Sequence, residues 1–284
     1  RRCFEEKALV MINAISLGAG VQSSTMALMA ASGEITPMPN CAVFADVGGD
    51  EPVEVYEWLK KLKELLPFPV YTVRRDEEKS LSEYDLRVRQ SKITQRVYRD
   101  GQIPAHILKS NGKVGILHRK CTRDFKIRPV VRFLREFANI KRKEKEVKVK
   151  QWMGISVDES HRVTESNYKY VEHIYPLIER DISREDCLRW MQDNFSLTPP
   201  RSACVFCPYH SDGEWQRLKM EAPLDFRRAV LHEERMQSAS ESCEVIQGTP
   251  FLHWSGVKLD QAQFNKLDDQ MDMFNYECEG MCGV

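Results

Sequence analysis

Two groups of residues in this chain have the types and spacing to do chemistry. The first is the run Ser16-Leu17-Gly18-Ala19-Gly20-Val21-Gln22-Ser23-Ser24-Thr25, which joins an apolar segment to a helical one. At such a junction, unpaired amides and the helix dipole stabilise negative charge, and glycines let the backbone approach it. Ser23, Ser24 and Thr25 add hydroxyl donors at the same place. No Lys follows the glycines, so this is not a Walker A loop. Gly18-x-Gly20-x-x-Ser23 also lacks the third glycine of a dinucleotide fingerprint. The pattern predicts a phosphate site, against the plainer alternative of a tight turn that binds nothing.

The second group is thiols. Cys204-Val205-Phe206-Cys207-Pro208 is a close pair in a Pro-rich loop, Cys121 is a third candidate, and Cys278 and Cys282 stand near the C-terminus. Two thiols at this spacing reach one metal. An iron–sulfur cluster and a structural zinc completed by His210 are equal on this chemistry alone. Cys41 and Cys187 fall on apolar faces and read as small core residues. The seven histidines are scattered, with no Ser/His/Asp pattern of a hydrolase.

The elements that must position these groups alternate in type. Ala8–Leu17, Cys41–Ala45, Val70–Val73 and Val147–Ser156 read as strands, and Ser23–Ala31, Val53–Leu66 and Ile127–Ala138 as helices. Strands separated by helices imply a parallel twisted sheet with helices on both faces, an α/β fold of Rossmann-like type. Beyond residue 180 the pattern turns helical, with Ser183–Phe195 and a cap at Ser211-Asp212-Gly213-Glu214, and no strand is expected after it. Residues 1–180 are thus read as a nucleotide-binding domain and 181–284 as a helical, cysteine-rich C-terminal region.

With 284 residues, 42% hydrophobic and 30% charged, the chain has the makings of a globular protein rather than a disordered one. No apolar run approaches the ~18 residues that cross a bilayer, so no membrane is expected. No basic-then-apolar leader opens the sequence, which starts Arg1-Arg2-Cys3 with Met11 as a candidate start. Nine cysteines, an odd number, point to a reducing cytoplasm rather than a disulfide framework. The net charge of +0 hides a basic middle: residues 74–150 hold 23 Lys+Arg against 10 Asp+Glu. Arg87, Arg89, Lys92, Arg96 and Arg99, with Tyr98, could track a nucleic-acid backbone. A solvated face is the alternative, and Lys141–Lys150 reads as a surface hairpin or linker.

The glycine bend resembles the pyrophosphate loop (PP-loop) of the adenine nucleotide alpha hydrolase-like superfamily, Ser-Gly-Gly-x-Asp-Ser, here Gly18-Ala19-Gly20-Val21-Gln22-Ser23. Further segments are similar to the phosphoadenosine phosphosulfate (PAPS) reductase branch. These are Asp46-Val47-Gly48, Cys121-Thr122 through Lys126 to Pro129, Gly154-Ile155-Ser156-Val157-Asp158-Glu159-Ser160-His161-Arg162, and Tyr175-Pro176-Leu177 followed by Asp186-Cys187-Leu188. They run in order over most of residues 12–210. The departures are Gly18 for Ser, Ala19 for Gly and Gln22 for Asp in the loop, Val47 and Thr122 in the next two segments, and Ser156 for Arg.

The resemblance implies ATP or PAPS held by Ser16, Gly18, Gly20, Ser23, Ser24, Asp46, Lys126, Gly154, Glu159 and Arg162. Asp46 would accept from a ribose hydroxyl or an adenine amine, with a helix cap before Val53 as its alternative. Lys126 and Arg162 would neutralise phosphate or sulfate oxygens, although Arg162 may equally be read as an ion pair with Glu159. Glu159 and Asp158 would orient a cationic group or Mg²⁺. The resemblance further implies a 4Fe-4S cluster on Cys121, Cys204 and Cys207, with Cys282 as the fourth ligand or an open iron able to hold sulfide; zinc stays the alternative. The ending Glu277-Cys278-Glu279-Gly280 is similar to the reductases' Glu-Cys-Gly, which makes Cys278 a nucleophile toward a sulfonucleotide, with a thioredoxin-like reductant, or else a metal ligand. Sulfonucleotide reduction is the activity so implied. The alternatives are ATP-dependent adenylation with sulfur insertion into a nucleic acid, and a non-catalytic nucleotide- or nucleic-acid-binding module with structural zinc.

Overall fold

The computed structural model describes residues 11–109, 112–141, 144–244 and 248–264. Cys3, Cys278 and Cys282 lie outside the described residues. The elements in chain order begin with β1 (Ile12–Ser16), α1 (Val21–Ala31), β2 (Cys41–Ala45), α2 (Val53–Leu65) and β3 (Val70–Val73). The middle of the chain gives α3 (Leu81–Asp85), β4 (Val88–Gln90), β5 (Val97–Arg99), β6 (His106–Leu108) and β7 (Val114–Ile116). A π-helical turn, Thr122–Ile127, leads into α4 (Arg128–Phe137) and β8 (Val149–Met153). A 3₁₀ segment, Val157–Arg162, precedes β9 (Val171–Ile174), α5 (Pro176–Glu179), α6 (Arg184–Phe195), α7 (Asp212–Glu221), α8 (Pro223–Glu241) and β10 (Thr249–Phe251).

Five strands form one parallel sheet in the order β3-β2-β1-β8-β9. Alternation along the strands sends successive side chains to opposite faces. Ile15, Ala42, Phe44 and Trp152 pack with Met26 and Leu28 of α1, Trp58 and Leu62 of α2, and Met191 of α6. Their neighbours Ala14, Cys41, Val43, Ala45 and Val149 pack with Val130 and Leu134 of α4. Helices therefore cover both faces, as the alternating pattern predicts. Each fully buried Leu, Met or Phe here contributes about 1.5–3 kcal/mol from burial.

The strand order reverses beside β1, which pairs in parallel with β2 on one side and β8 on the other. Ser16 and Met153 are register partners at the carboxyl ends. The segments leaving them diverge, and such a switch point opens a crevice where an α/β sheet takes its ligand. A third apolar cluster lies over this end. Val47, Leu81, Ile103, Cys121 and Phe125 join Cys204, Val205, Phe206, Cys207, Trp215, Met236 and Leu252 in it.

Three features differ from the sequence expectation. β9 adds a fifth strand where none is predicted, because Val171–Ile174 is short and mixed in polarity. The basic stretch, besides α3 and the π-helical turn, builds the β4–β5 hairpin and part of a second small sheet, β10-β6-β7, neither of which is predicted. β10 is also a strand beyond residue 195, pairing with β6 across a long sequence gap. Three-residue strands carry too little periodicity to be read locally. No helix among the described residues is long and apolar enough to cross a membrane.

Candidate functional site

The bend after β1 has a run of unused donors. Leu17 N–H still belongs to the sheet, donating to the Val43 carbonyl at 2.9 Å, and Ser24 N–H starts the helical ladder on Gly20 at 3.1 Å. Between them, the amides of Gly18 through Ser23 have no acceptor among the described residues. Six consecutive unpaired amides at the N-terminus of an 11-residue helix make an anion cradle.

The left-handed residue of the bend is Ala19, at φ 60°. A Cβ on Gly20 would lie 3.5 Å from that of Ser202, an ordinary contact. Glycine is required elsewhere. A Cβ on Gly154, at the exit of β8, would come within 2.8 Å of Ser23 Cα, so this exit rests directly on the start of α1.

Several buried polar atoms have no partner among the described residues: Ser202 Oγ beside the bend, Arg162 Nη2, Arg201 Nε, and, near Lys126, Glu51 Oε2 and Thr122 Oγ1. Ser202 is only 3% exposed and touches Gly20. A buried polar atom left unbonded costs about 1–3 kcal/mol. Arg162 is held by an ion pair with Glu159, which also accepts from Gln22 Nε2 at 3.2 Å. The residue standing where the family has Asp thus links α1 to the 3₁₀ segment, and Arg162 keeps one nitrogen in reserve.

The other predicted nucleotide residues divide. Ser16 and Ser23 are buried at the strand end and helix start, with Ser23 Oγ contacting the Gly20 carbonyl at 3.5 Å. Ser24 is turned away: its hydroxyl accepts from Trp58 Nε1 at 2.9 Å inside the core. Asp46 is neither a ribose acceptor nor a cap for α2. Its Oδ1 accepts from the Gly48 and Gly49 amides and the Tyr56 hydroxyl, and its Oδ2 from Arg74. Burial works against the Asp46 charge, but Gly49, Arg74, Tyr56 and Gly48 outweigh it and hold the carboxyl below the usual range. With its acceptor sites taken, Asp46 shapes the loop rather than the ligand.

Lys126 lies within the π-helical turn and pairs with Glu51 at 3.2 Å, both side chains nearly inaccessible. This pair borders the thiols. Cys204 and Cys207 share a hydrogen bond, and the charges of Glu51, Lys126 and Cys121 all reach Cys204. The Cys207 bond pulls the Cys204 thiol down, yet burial, aided by Glu51 and Cys121, leaves it above its ordinary value. Backbone turns fix the loop: Val205 N–H donates to the Asp50 carbonyl at 2.9 Å, Cys207 N–H to Cys204 at 3.0 Å, and His210 N–H to Cys207 at 3.1 Å.

The fold thus gathers Cys121, Cys204 and Cys207 in one buried cluster. Among the described residues no three His, Cys, Asp or Glu side chains converge to hold one metal ion. A tetrahedral zinc demands such convergence at about 2.0–2.3 Å. His210 Nε2 faces the Cys204 carbonyl at 3.1 Å, burial pushes its pKa down to about 3, and its Nδ1 is buried with no partner among the described residues. Cys41 and Cys187 sit in separate cores, pushed up to about 12 by burial, as small apolar residues.

Part of the basic middle is paired within the fold. Arg99 is fully buried against Asp85 at 2.7 Å, and Arg87 and Arg89 both reach Asp100. Arg99 therefore cannot track a backbone. One Ser/His/Asp relay does form where none is predicted: Ser255 Oγ meets His253 Nδ1 at 2.7 Å, and His253 Nε2 meets Asp212 Oδ1 at 3.0 Å. It ties the turn after β10 to the first residue of α7.

Glu51, Arg201, Ser202 and Arg74 were not singled out in the sequence. Arg201 and Ser202 stand just before Cys204, and Glu51 follows Gly48-Gly49-Asp50, so their nearness to motif residues was the available signal. No protein-family model matches this chain, and no curated protein matches it either.

Proposed function

We propose that the chain is an enzyme that binds an adenine nucleotide at the Gly18–Ser23 bend and performs sulfur-transfer chemistry of the PAPS reductase type, sulfonucleotide reduction. The observation that carries this reading is the row of six amides without acceptors among the described residues, beside Ser202, with Arg162 tied to α1 through Glu159 and Gln22. An anionic group in the crevice would satisfy these amides. Arg162, anchored by Glu159, would meet it with the nitrogen its ion pair does not use. Gly154 allows the second wall to stand against the first.

Cys121, Cys204 and Cys207 would hold an iron–sulfur cluster beside the Lys126–Glu51 pair. When bound, the cluster would supply a polarising or sulfide-holding centre next to the substrate. Lys126, buried and charge-paired, would offer an ammonium toward sulfonate or phosphate oxygens without entering solvent. Cys278, outside the described residues, would be the thiolate that attacks the substrate sulfur and expels the nucleotide. A thioredoxin-like dithiol would then reduce the resulting S-sulfonate and release sulfite.

The test is calorimetric titration of the chain with ATP, ADP and PAPS, followed by sulfite release with a dithiol reductant. Binding of PAPS with sulfite release that Cys278→Ser abolishes supports the reading. Pyrophosphate release from ATP without sulfite would instead favour adenylation with sulfur insertion into a nucleic acid, a second reading to which the α4 surface below gives weight. No heat with any adenine nucleotide overturns both.

A further inference from the structure

A groove of about 560 Å³ runs along α4. Arg128, Arg132 and Arg135 line it, at spacings i, i+4 and i+7 that place all three on one stripe of the helix. Facing them are Tyr168 and Tyr170, whose ring centroids are 5.9 Å apart. The three arginines are exposed and the tyrosines half-buried. Arg128 spends one nitrogen on Asp124 at 2.9 Å, and Arg132 one on the Arg74 carbonyl at 2.9 Å. A guanidinium has five N–H donors in all, so both keep donors for a ligand. Glu136 is the one acidic residue along the groove, which leaves the lining cationic. Neighbouring Lys169 and Lys141 are exposed as well.

We propose that this groove binds a single-stranded polynucleotide, its phosphodiesters on the three arginines and its bases on the two tyrosines. Arg stripes spread over seven residues of helix, about 10 Å, fit a repeating anion better than a single phosphate. Adjacent aromatic faces supply sequence-tolerant stacking to bases. An acidic peptide would use the charge but not the tyrosine pair. Arg128 pairs with Asp124 of the π-helical turn that carries Lys126, so a strand lying in the groove runs toward the candidate site. The inference is one of binding and does not depend on which reading of the Gly18–Ser23 site holds.

The experiment is fluorescence anisotropy of labelled oligo(dT) and oligo(rU) with the full chain over a range of salt. The expected log–log salt slope is about −2, since each neutralised phosphate contributes about −0.7 on single strands. Arg132→Gln and Arg135→Gln should each reduce that slope by about one such step. Tyr168→Ala should weaken binding about tenfold, and Tyr168→Phe should restore it. Excess ATP should leave the complex intact, which separates the groove from the Gly18–Ser23 bend. Unchanged affinity in the Arg132→Gln/Arg135→Gln double variant, with an unchanged melting temperature, overturns the proposal. So does labelled polyglutamate binding as tightly as the oligonucleotides.

Discussion

Gly154 stands so close to Ser23 that a Cβ on it would lie 2.8 Å from the Ser23 Cα. The contact is backbone against side-chain position, so no rotamer change relieves it. It fixes the separation of the two walls of the crevice, since Ser23 begins α1 and Gly154 leaves β8. Gly154→Ala should push the helix start outward, costing about 1–3 kcal/mol of stability by overpacking. Nucleotide affinity should fall more than Gly20→Ala makes it fall, because a Cβ on Gly20 meets only an ordinary contact. Urea melts and titration calorimetry of the two variants check this ordering.

Ser202→Ala separates a binding role from a folding one. The Ser202 hydroxyl is buried without a partner, so its removal should leave the unliganded protein as stable or slightly more so. If the hydroxyl serves a bound anion, affinity should drop by the worth of one hydrogen bond to a charged group, about 1.5–3 kcal/mol. Equal affinity in wild type and variant would take Ser202 out of the site.

Asp46 and Asp85 should contribute to the acid limb of the stability profile. Both carboxyls lie below the usual range in the fold. Burial opposes each, but Gly49, Arg74 and Tyr56 outweigh it at Asp46, and His232 and Arg99 do so at Asp85. A lowered folded-state pKa adds stability above the unfolded value of about 3.9. That stability fades as pH falls through the folded pKa. Asp46→Asn should flatten this acid limb and lower stability at neutral pH. A variant whose denaturation midpoint still falls as steeply below pH 4 as wild type would contradict the assignment.

Breaking the buried pair of Arg99 with Asp85 should be severe. Asp85 also accepts from the Gln102 and Ile103 amides, at 2.6 and 2.9 Å, and meets His232 at 3.2 Å. Asp85→Ala strands a buried guanidinium and two amides, at a cost of about 3–5 kcal/mol. Arg96→Ala, nearby but in the exposed turn of the hairpin, should be nearly silent. Denaturant melts of the two distinguish a structural arginine from a surface one.

This contrast shows what the sequence could carry. The α/β sheet was legible because its strands and helices hold continuous apolar periodicity, as Cys41–Ala45 does. The bend was legible because small residues mark a strand-to-helix junction. Arg99 was misread because charge is local in the sequence while its partner is fixed by the fold, and Asp85 lies across a hairpin. Asp46 was misread for the same reason: Arg74 reaches it only after β3 has paired with β2. Ser202 touches Gly20 from a residue 182 positions later, a closeness that no spacing rule conveys.

The thiols give the sharpest division among the nine cysteines. Cys121, Cys204 and Cys207 share one buried cluster, whereas Cys41 and Cys187 lie in two other cores. Anaerobic loading with iron and sulfide should give a brown protein. Cys121→Ser, Cys204→Ser and Cys207→Ser should each lose most of that visible absorbance. Cys41→Ala and Cys187→Ala should keep it, losing only packing. Each thiol must shed its proton to ligate, and burial holds Cys204 above its ordinary value, so loading should release protons and proceed further at higher pH. Stoichiometric zinc in colourless protein, lost in the same three variants, would assign the thiols to zinc instead. Full colour in all three would remove them from metal chemistry.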